Sequence, residues 1–250
     1  MMIDIHSHIL PGVDDGSENF DKTLAMLEMA CDSGVSTIVA TPHCMPGVYN
    51  NIVSEKLEEK WKKFIARVNR YELPMQICRG MEVMLTDETL KLIRKKNVWS
   101  LNGSRYLLVE FAFDEDPDFC REALKKVKAY GYVPVVAHPS RYYFVQSWPQ
   151  IVYDWYMMGC AIQVNKGSLL GRFGRKEYNT AHSLLRHGLV TCVASDAHGI
   201  RQRTTRMDEL QEMLTERYSE NYAYMLLQEN PSRILNDSTL VGYEPIAYED

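Results

Sequence analysis

Apolar residues along this chain follow two alternating rhythms. Short runs of aliphatic and β-branched residues are followed by longer stretches in which apolar positions return every three or four residues. The first rhythm is that of strands, the second that of amphipathic helices. The opening run, residues 2–5, is a short strand, and a loop rich in Pro and Gly occupies 10–16. Ser17 is the expected N-cap of a helix that carries Leu24, Leu27, Ala30 and Cys31 at helical spacing and stops at Gly34. Residues 36–40 (STIVA) make the second strand. Strand, helix and strand in so short a span read as a βαβ unit with parallel strands.

The pattern then repeats. A charged helix over 55–71 has Leu57, Trp61, Phe64, Ile65 and Val68 on one face. Strands are expected at 75–83, 106–111, 132–137, 160–164 and 189–194, with helices at 87–95, 118–130, 148–158 and 176–187 between them. Residues 205–235 read as wholly helical. The tail from about 236 lacks periodicity and is expected to be loosely attached. Seven strand–helix units without a linker or repeat predict one α/β domain over 1–250, built on a parallel sheet. Polar residues recur at the carboxyl ends of the strands, which points to a barrel, the fold whose chemistry lies on that face.

Composition narrows the function. The 250 residues are 46% hydrophobic and 24% charged, as in ordinary soluble globular proteins. The net charge of -5 argues against nucleic acid as the main partner. Asp4 and two histidines stand where a signal segment would need apolar residues, and no run is long enough to span a bilayer. The chain is therefore read as cytoplasmic, with no direct membrane insertion. The cysteines at 31, 44, 78, 120, 160 and 192 include no Cys-x-x-Cys and suit buried free thiols.

The candidate chemistry sits at the strand ends. His6 and His8, two apart, share one face of an extended strand. Asp15, His43, Glu82, Glu110, His138, Asp196 and His198 also fall at or just after strand-like runs. Glu110 is a lone carboxylate among Leu107, Leu108, Val109 and Phe111, and a buried carboxylate needs a cation, a partner or a proton. Nine nitrogen and oxygen ligands exceed what one tetrahedral ion takes and suit two or three ions. Without cysteine among them, Mn, Fe, Zn or Co fits better than a soft-metal site. His182 and His187 lie in a helical stretch and are read as surface or packing histidines.

Asp4-Ile5-His6-Ser7-His8, Val13-Asp14-Asp15-Gly16, Thr41-Pro42-His43, Gly80-Met81-Glu82, His138-Pro139-Ser140-Arg141-Tyr142 and Ser195-Asp196-Ala197-His198 occur in this order. The ordered set resembles the PHP (polymerase and histidinol phosphatase) superfamily. More narrowly, it resembles the bacterial manganese-dependent protein tyrosine phosphatases of capsule and exopolysaccharide loci. The resemblance implies a distorted (β/α)7 TIM-like barrel with a trinuclear centre, Mn²⁺ being the family's metal. It implies one ion held by His6, His8, Glu82 and Asp196. A second would be held by Glu82, Glu110 and His138, and a third by Asp15, His43 and His198. Asp14 is an alternative to Asp15. Arg141 and Arg203 match the family's phosphate-binding arginines, with Arg201 and Arg206 as neighbours of the second. Ser140 stands where much of the family has a larger polar residue. The implied substrate is phosphotyrosine on the tail of a membrane-anchored tyrosine kinase.

Ions of this kind acidify water and polarise phosphoryl oxygens. A tyrosine leaving group, with a pKa of about 10, needs no strong general acid. Three rivals make different demands. Another phosphatase of the superfamily, such as histidinol-phosphate phosphatase, would share the metal ligands. A metal-dependent amidohydrolase would need an eighth strand. A non-catalytic scaffold would not require every ligand-type residue. A cysteine-based phosphatase is excluded, because no cysteine is followed six residues later by Arg.

Overall fold

The computed structural model describes residues 1–249. In chain order the elements are β1 (Met2–Ser7), α1 (Phe20–Asp32), β2 (Val35–Ala40), β3 (His43–Met45), β4 (Tyr49–Asn50), α2 (Glu55–Val68), β5 (Gln76–Arg79) and β6 (Glu82–Met84). Then come α3 (Asp87–Arg94), β7 (Tyr106–Glu110), α4 (Pro117–Ala129), β8 (Val133–Ala137), α5 (Tyr143–Ser147), α6 (Gln150–Met157) and β9 (Ala161–Asn165). The chain continues through α7 (Lys166–Leu169), α8 (Arg175–Arg186), β10 (Cys192–Ala194) and α9 (Asp208–Arg217). It ends with α10 (Glu220–Tyr224), a π turn (Met225–Glu229) and α11 (Asn230–Leu235).

Two parallel ladders form, β1-β2-β5 and β10-β9-β8-β7-β6-β3, with β4 added antiparallel to β3. Strand β2 runs on through Thr41 and Pro42 into β3, and β5 runs on through Gly80 and Met81 into β6. These two bent strands are therefore shared by both ladders. A parallel bridge between Ser7 and Ala197 joins the first strand to the last. Two main-chain bonds reinforce it: Asp196 N–H donates to His6 O and His8 N–H to Ala197 O, both at 2.9 Å. The result is a distorted seven-stranded barrel, as expected, with β4 as a short antiparallel extension and no eighth parallel strand among the described residues. The expected strand 75–83 is divided because it bends at Gly80, where a Cβ would lie 2.8 Å from Leu101 Cδ2. Only glycine permits that approach.

Strand residues alternate between two apolar layers. Ile5, Val39, Leu108, Val135, Ala137 and Ala194 belong to a cluster inside the barrel. Leu107, Val109, Val136, Ile162 and Val164 belong to the shell against the helices. The side chains fill the barrel, so chemistry is confined to its rim.

Three local expectations are corrected. Helix α1 is capped by Asn19, whose side chain accepts from Lys22 N–H at 3.0 Å. Ser17 instead donates its hydroxyl to Asn19 O at 2.9 Å. The helical run after 205 breaks at Tyr218, and Ser219 caps the next helix by accepting from Tyr222 N–H. The tail is pinned rather than loose. Arg105 N–H donates to Asp237 Oδ1 at 2.7 Å and Tyr106 OH to Ser238 O at 2.6 Å. Asn230 Nδ2 donates to Thr191 O (2.9 Å) and Val241 O (2.8 Å). Further on, Ile246 N–H donates to His187 O, and the Tyr248 ring stacks on His187. Helix α11 and the tail thus cover the amino end of the barrel.

Candidate metal centre

The opposite, carboxyl end collects the candidate side chains. His6 and His8 leave β1, His43 opens β3, and Glu82 opens β6 with His43 as its register partner. Glu110 ends β7, His138 follows β8, and Asp196 follows β10. Asp4, the first residue of the opening motif, is not part of this group. It is fully buried and accepts from Ser195 N–H (3.0 Å) and Ser195 Oγ (2.5 Å), which fastens β1 to the segment carrying Asp196. Three residues here hold left-handed backbone without being glycine: His138 (φ 36°), Asp196 (φ 49°) and Arg203 (φ 48°). Strain of this kind persists where the surrounding structure fixes a side chain's direction.

Three convergent groups result. In the first, Glu82 Oε2 lies 3.1 Å from His6 Nε2 and 3.2 Å from His8 Nε2, and Asp196 Oδ1 lies 3.4 and 3.6 Å from the same nitrogens. In the second, His43 Nδ1 is 3.1 Å from Glu82 Oε2 and 2.9 Å from Glu110 Oε1. In the third, Asp15 Oδ1 is 3.5 Å from His43 Nε2 and 3.4 Å from His198 Nε2, with His8 alongside. Within each group the ligand atoms lie within 4.8 Å of one another. Glu82 enters the first two. His138 faces Glu82 from the other side, its Nε2 2.8 Å from Oε1 and 3.8 Å from Glu110 Oε2. The grouping thus puts His43 beside Glu82 and Glu110, where the resemblance implies His138.

Buried polar atoms without a hydrogen-bond partner test whether cations fit. Among the described residues they are His43 Nδ1, Glu82 Oε2, Glu110 Oε1, His138 Nδ1, Ser140 Oγ, Arg141 Nε, Asp196 Oδ1 and His198 Nε2. Five of these are nitrogens or oxygens at the hearts of the three groups. They approach one another closely yet lack hydrogen-bond alignment, so their lone pairs are aimed at common points. Each would cost on the order of 1–3 kcal/mol if left unpaired. Histidine nitrogens and carboxylate oxygens at such points suit divalent first-row ions.

The electrostatics agree. Burial disfavours the charged form of His6, but Glu82 and Asp196 outweigh it and push its pKa up to about 9. Burial likewise opposes charge on His43, while Glu82, Glu110 and Asp14 push it up to about 10. His198 goes the other way, down to about 4, through burial and the neighbouring His8. The carboxyls of Glu82 and Asp196 stay below the usual range despite burial, because His6 and other cationic neighbours favour their charged forms. Glu82 and Asp196 therefore remain ionised at neutral pH.

Asp14 and Asp15 take different places. Asp14 Oδ2 lies 2.8 Å from His8 Nδ1 and accepts His43 N–H at 3.1 Å, so it orients His8 from behind. The loop can lie this close because residue 16 is glycine: a Cβ there would meet His8 at 2.3 Å. Asp15, with its side chain 47% exposed, faces His43 and His198. Arg203 Nη2 bonds Asp196 Oδ2 at 2.6 Å, and Arg141 Nη1 is 3.7 Å from the same oxygen. Both line a cavity of about 310 Å³ with Asp15, His43, Glu82, Glu110, His138 and Asp196. Arg206 turns away to Asp208, and Arg201 is exposed. His182 is a packing histidine, bonded to Tyr218 OH and Leu169 O.

Sequence reasoning missed several residues. Met45, Tyr49, Met84 and Phe113 form an apolar wall of the cavity, and Phe113 lies 4.4 Å under the Arg141 guanidinium. Gln163 and Asn165 reach His6 and Asp196. Their signal was available: two amides two residues apart in an apolar strand share one face. Lys166, also buried, donates through Nζ to the carbonyls of Thr204 and Arg206 and so ties down the loop that carries Arg203.

Residues 2–236 match the family described as capsular polysaccharide synthesis, CpsB/CapC. The chain belongs to the CpsB/CapC family. Tyrosine-protein phosphatase YwqE of Bacillus subtilis (strain 168) is 33% identical over 247 residues, covering 98% of this chain and 95% of that protein. Tyrosine-protein phosphatase CpsB of Streptococcus pneumoniae is 30% identical, covering 96% of this chain and all of that one (100%). A solved structure from work on YwqE and CpsB, "unique metal-dependent tyrosine phosphatases", superposes with TM-score 0.92 at 32% identity and 100% coverage of both chains. The lactonase Lmo2620 from Listeria monocytogenes shares the fold, with TM-score 0.64 at 10% identity.

Proposed function

We propose that this chain is a metal-dependent protein tyrosine phosphatase that hydrolyses phosphotyrosine, with Mn²⁺ as its metal. The observation that carries this reading is the meeting, in one cavity, of the histidine–carboxylate cluster with two arginines and an aromatic wall. His6, His8, Glu82 and Asp196 would hold one ion. Glu82 and Glu110, with His43 or His138, would hold a second, and Asp15, His43 and His198 a third. Such ions supply Lewis-acid polarisation of a phosphoryl group and a water acidic enough to react at neutral pH.

The chain's own residues do the rest. Arg141 and Arg203 offer planar forks that bond phosphoryl oxygens and neutralise charge as it builds up in the transition state. Arg203 is held in place by Asp196, through the carboxylate at 2.6 Å and the main-chain oxygen at 3.2 Å. Arg141 is flanked by Phe113 and Phe173. Tyr49, Met45, Met84 and Phe113 suit the ring of a tyrosyl substrate and keep water from it. No thiol competes as nucleophile: burial pushes Cys44 and Cys160 up to about 12, far from the thiolate form at neutral pH.

The family context supports a phosphotyrosine protein of capsule or exopolysaccharide synthesis as substrate, a membrane-anchored bacterial tyrosine kinase in our reading, met in the cytoplasm. No helix among the described residues is long and apolar enough to cross a membrane. The test is to compare kcat/KM on a phosphotyrosine peptide and on histidinol phosphate with the Mn²⁺-loaded protein. The peptide should be the better substrate by orders of magnitude; preference for histidinol phosphate would overturn the assignment.

A further inference from the structure

Six of the seven barrel strands deliver a ligand-type side chain to the rim; the strand that ends in β9 delivers none. Its end is nevertheless polar. Gln163 and Asn165 are both fully buried, at 0% exposure. Two buried amides are costly unless their donors and acceptors are matched. Here they form a chain. Gln163 Oε1 lies 3.0 Å from His6 Nδ1, Gln163 Nε2 donates to Asn165 Oδ1 at 2.9 Å, and Asn165 Nδ2 donates to Asp196 Oδ2 at 2.6 Å.

The chain has only one workable direction. A carboxylate oxygen accepts only, so Asn165 must present its NH₂ to Asp196 and its carbonyl to Gln163. Gln163 must then donate to Asn165 and turn its own carbonyl to His6. A carbonyl cannot donate, so His6 keeps a proton on Nδ1, and in the neutral ring that a cation would bind the lone pair is left on Nε2. That atom is the one 3.1 Å from Glu82 Oε2. At the other end, Asp196 Oδ2 is taken by Asn165 and by Arg203 at 2.6 Å, which leaves Oδ1, a buried atom with no partner. Each end of the chain thus frees the atom that faces the centre.

We propose that Gln163 and Asn165 are positioning residues, a two-amide relay that sets the tautomer of His6 and the rotation of the Asp196 carboxylate together. The inference rests on the metal-centre reading but not on the identity of the substrate. Partners of this kind typically change metal affinity ten- to a hundredfold.

Two measurements test it. In the zinc-loaded wild-type protein, nitrogen NMR of the histidine rings should show a slowly exchanging proton on His6 Nδ1 and none on Nε2. A His6 ring bound through Nδ1 would overturn the relay, and this readout needs no variant to fold. Next, Mn²⁺ affinity is measured by titration for Gln163→Met, Asn165→Leu and the double variant. Each single variant should bind Mn²⁺ about ten- to a hundredfold more weakly, with kcat largely restored at saturating Mn²⁺. The double variant should lose little more than one single variant, because either substitution breaks the same chain. Unchanged Mn²⁺ affinity, or losses that multiply, would reduce the two residues to independent packing.

Discussion

The two ends of this barrel treat buried polar atoms in opposite ways. At the amino end they are paired: Asn230 donates to Thr191 O and Val241 O and accepts from Val241 N–H, and Tyr106 OH donates to Ser238 O. At the carboxyl end, unpaired atoms of His43, Glu82, Glu110, His138, Asp196 and His198 crowd together. The chain can evidently satisfy its buried groups, so the carboxyl end is not a region of poor packing. Its atoms are unpaired because they converge, and convergent lone pairs are what a cation requires. In our reading, one end serves stability and the other is built to hold ions and substrate. Substitutions at the two ends should therefore register in different measurements.

The largest effect is expected from Glu82→Ala. Glu82 belongs to two of the three groups and is fully buried. If it is shared by two ions, its negative charge would also offset part of their repulsion. The variant should lose at least one ion per chain by elemental analysis and nearly all turnover. Unchanged metal content would remove Glu82 from the ligand set.

Next comes Arg141→Ala, which should keep its metal and lose rate. Losing one charge-assisted clamp costs on the order of 2–4 kcal/mol by analogy with an oxyanion donor. That is roughly a hundredfold to a thousandfold in kcat/KM. Arg141→Lys should lose less, since an ammonium keeps the charge but not the fork. Its carboxylate neighbours are 3.7–4.0 Å away, so it is not spent on a surface ion pair. Wild-type kinetics for the alanine variant would place Arg141 outside the site.

Asn230→Ala probes the other end. Breaking its bonds should lower unfolding stability by about 1–3 kcal/mol. Metal content and kcat/KM should stay as in the wild type. A loss of metal from this substitution would mean that the two ends are not separate.

The most gradual effect is in pH. In the metal-free protein His6 is pushed up to about 9 and His43 up to about 10, both above the ordinary 6.5. Their ion pairs stabilise that form fully below pH 6.5 and cease to do so as pH rises through about 9 to 10. Cations must displace these protons. Mn²⁺ affinity should therefore weaken as pH falls from about 9, by about tenfold per pH unit for each proton displaced. A pH-independent Kd between 6 and 9 would contradict this, and titration calorimetry in two buffers would read the protons released.

Much of this was legible in the sequence, for a physical reason. The rim residues stand at the ends of apolar runs, and a barrel brings strand ends together whatever their distance along the chain. The nine candidates from His6 to His198 all reach the rim on that account. What stayed hidden depends on contacts between distant segments. The bend at Gly80 comes from the approach of Leu101, which no local pattern announces. The tail is held largely through its main-chain atoms, such as Ser238 O and Ile246 N–H, and main-chain bonds leave no periodicity in the side chains. The roles of Asp14 and Asp15 separated only when His8 was seen to lie over one and His198 near the other. Gln163 and Asn165 were passed over because amides are not metal-type residues.

The most direct measurement follows metal content and phosphatase activity in one wild-type sample through chelation, Mn²⁺ re-addition and thiol alkylation. If the rim works by holding cations, chelation removes metal and activity together, and Mn²⁺ restores both. Alkylation should leave activity nearly unchanged, since Cys44, Cys78, Cys120, Cys160 and Cys192 are all buried. Activity that survives complete removal of the metal, or that alkylation abolishes while the metal stays bound, would contradict the account.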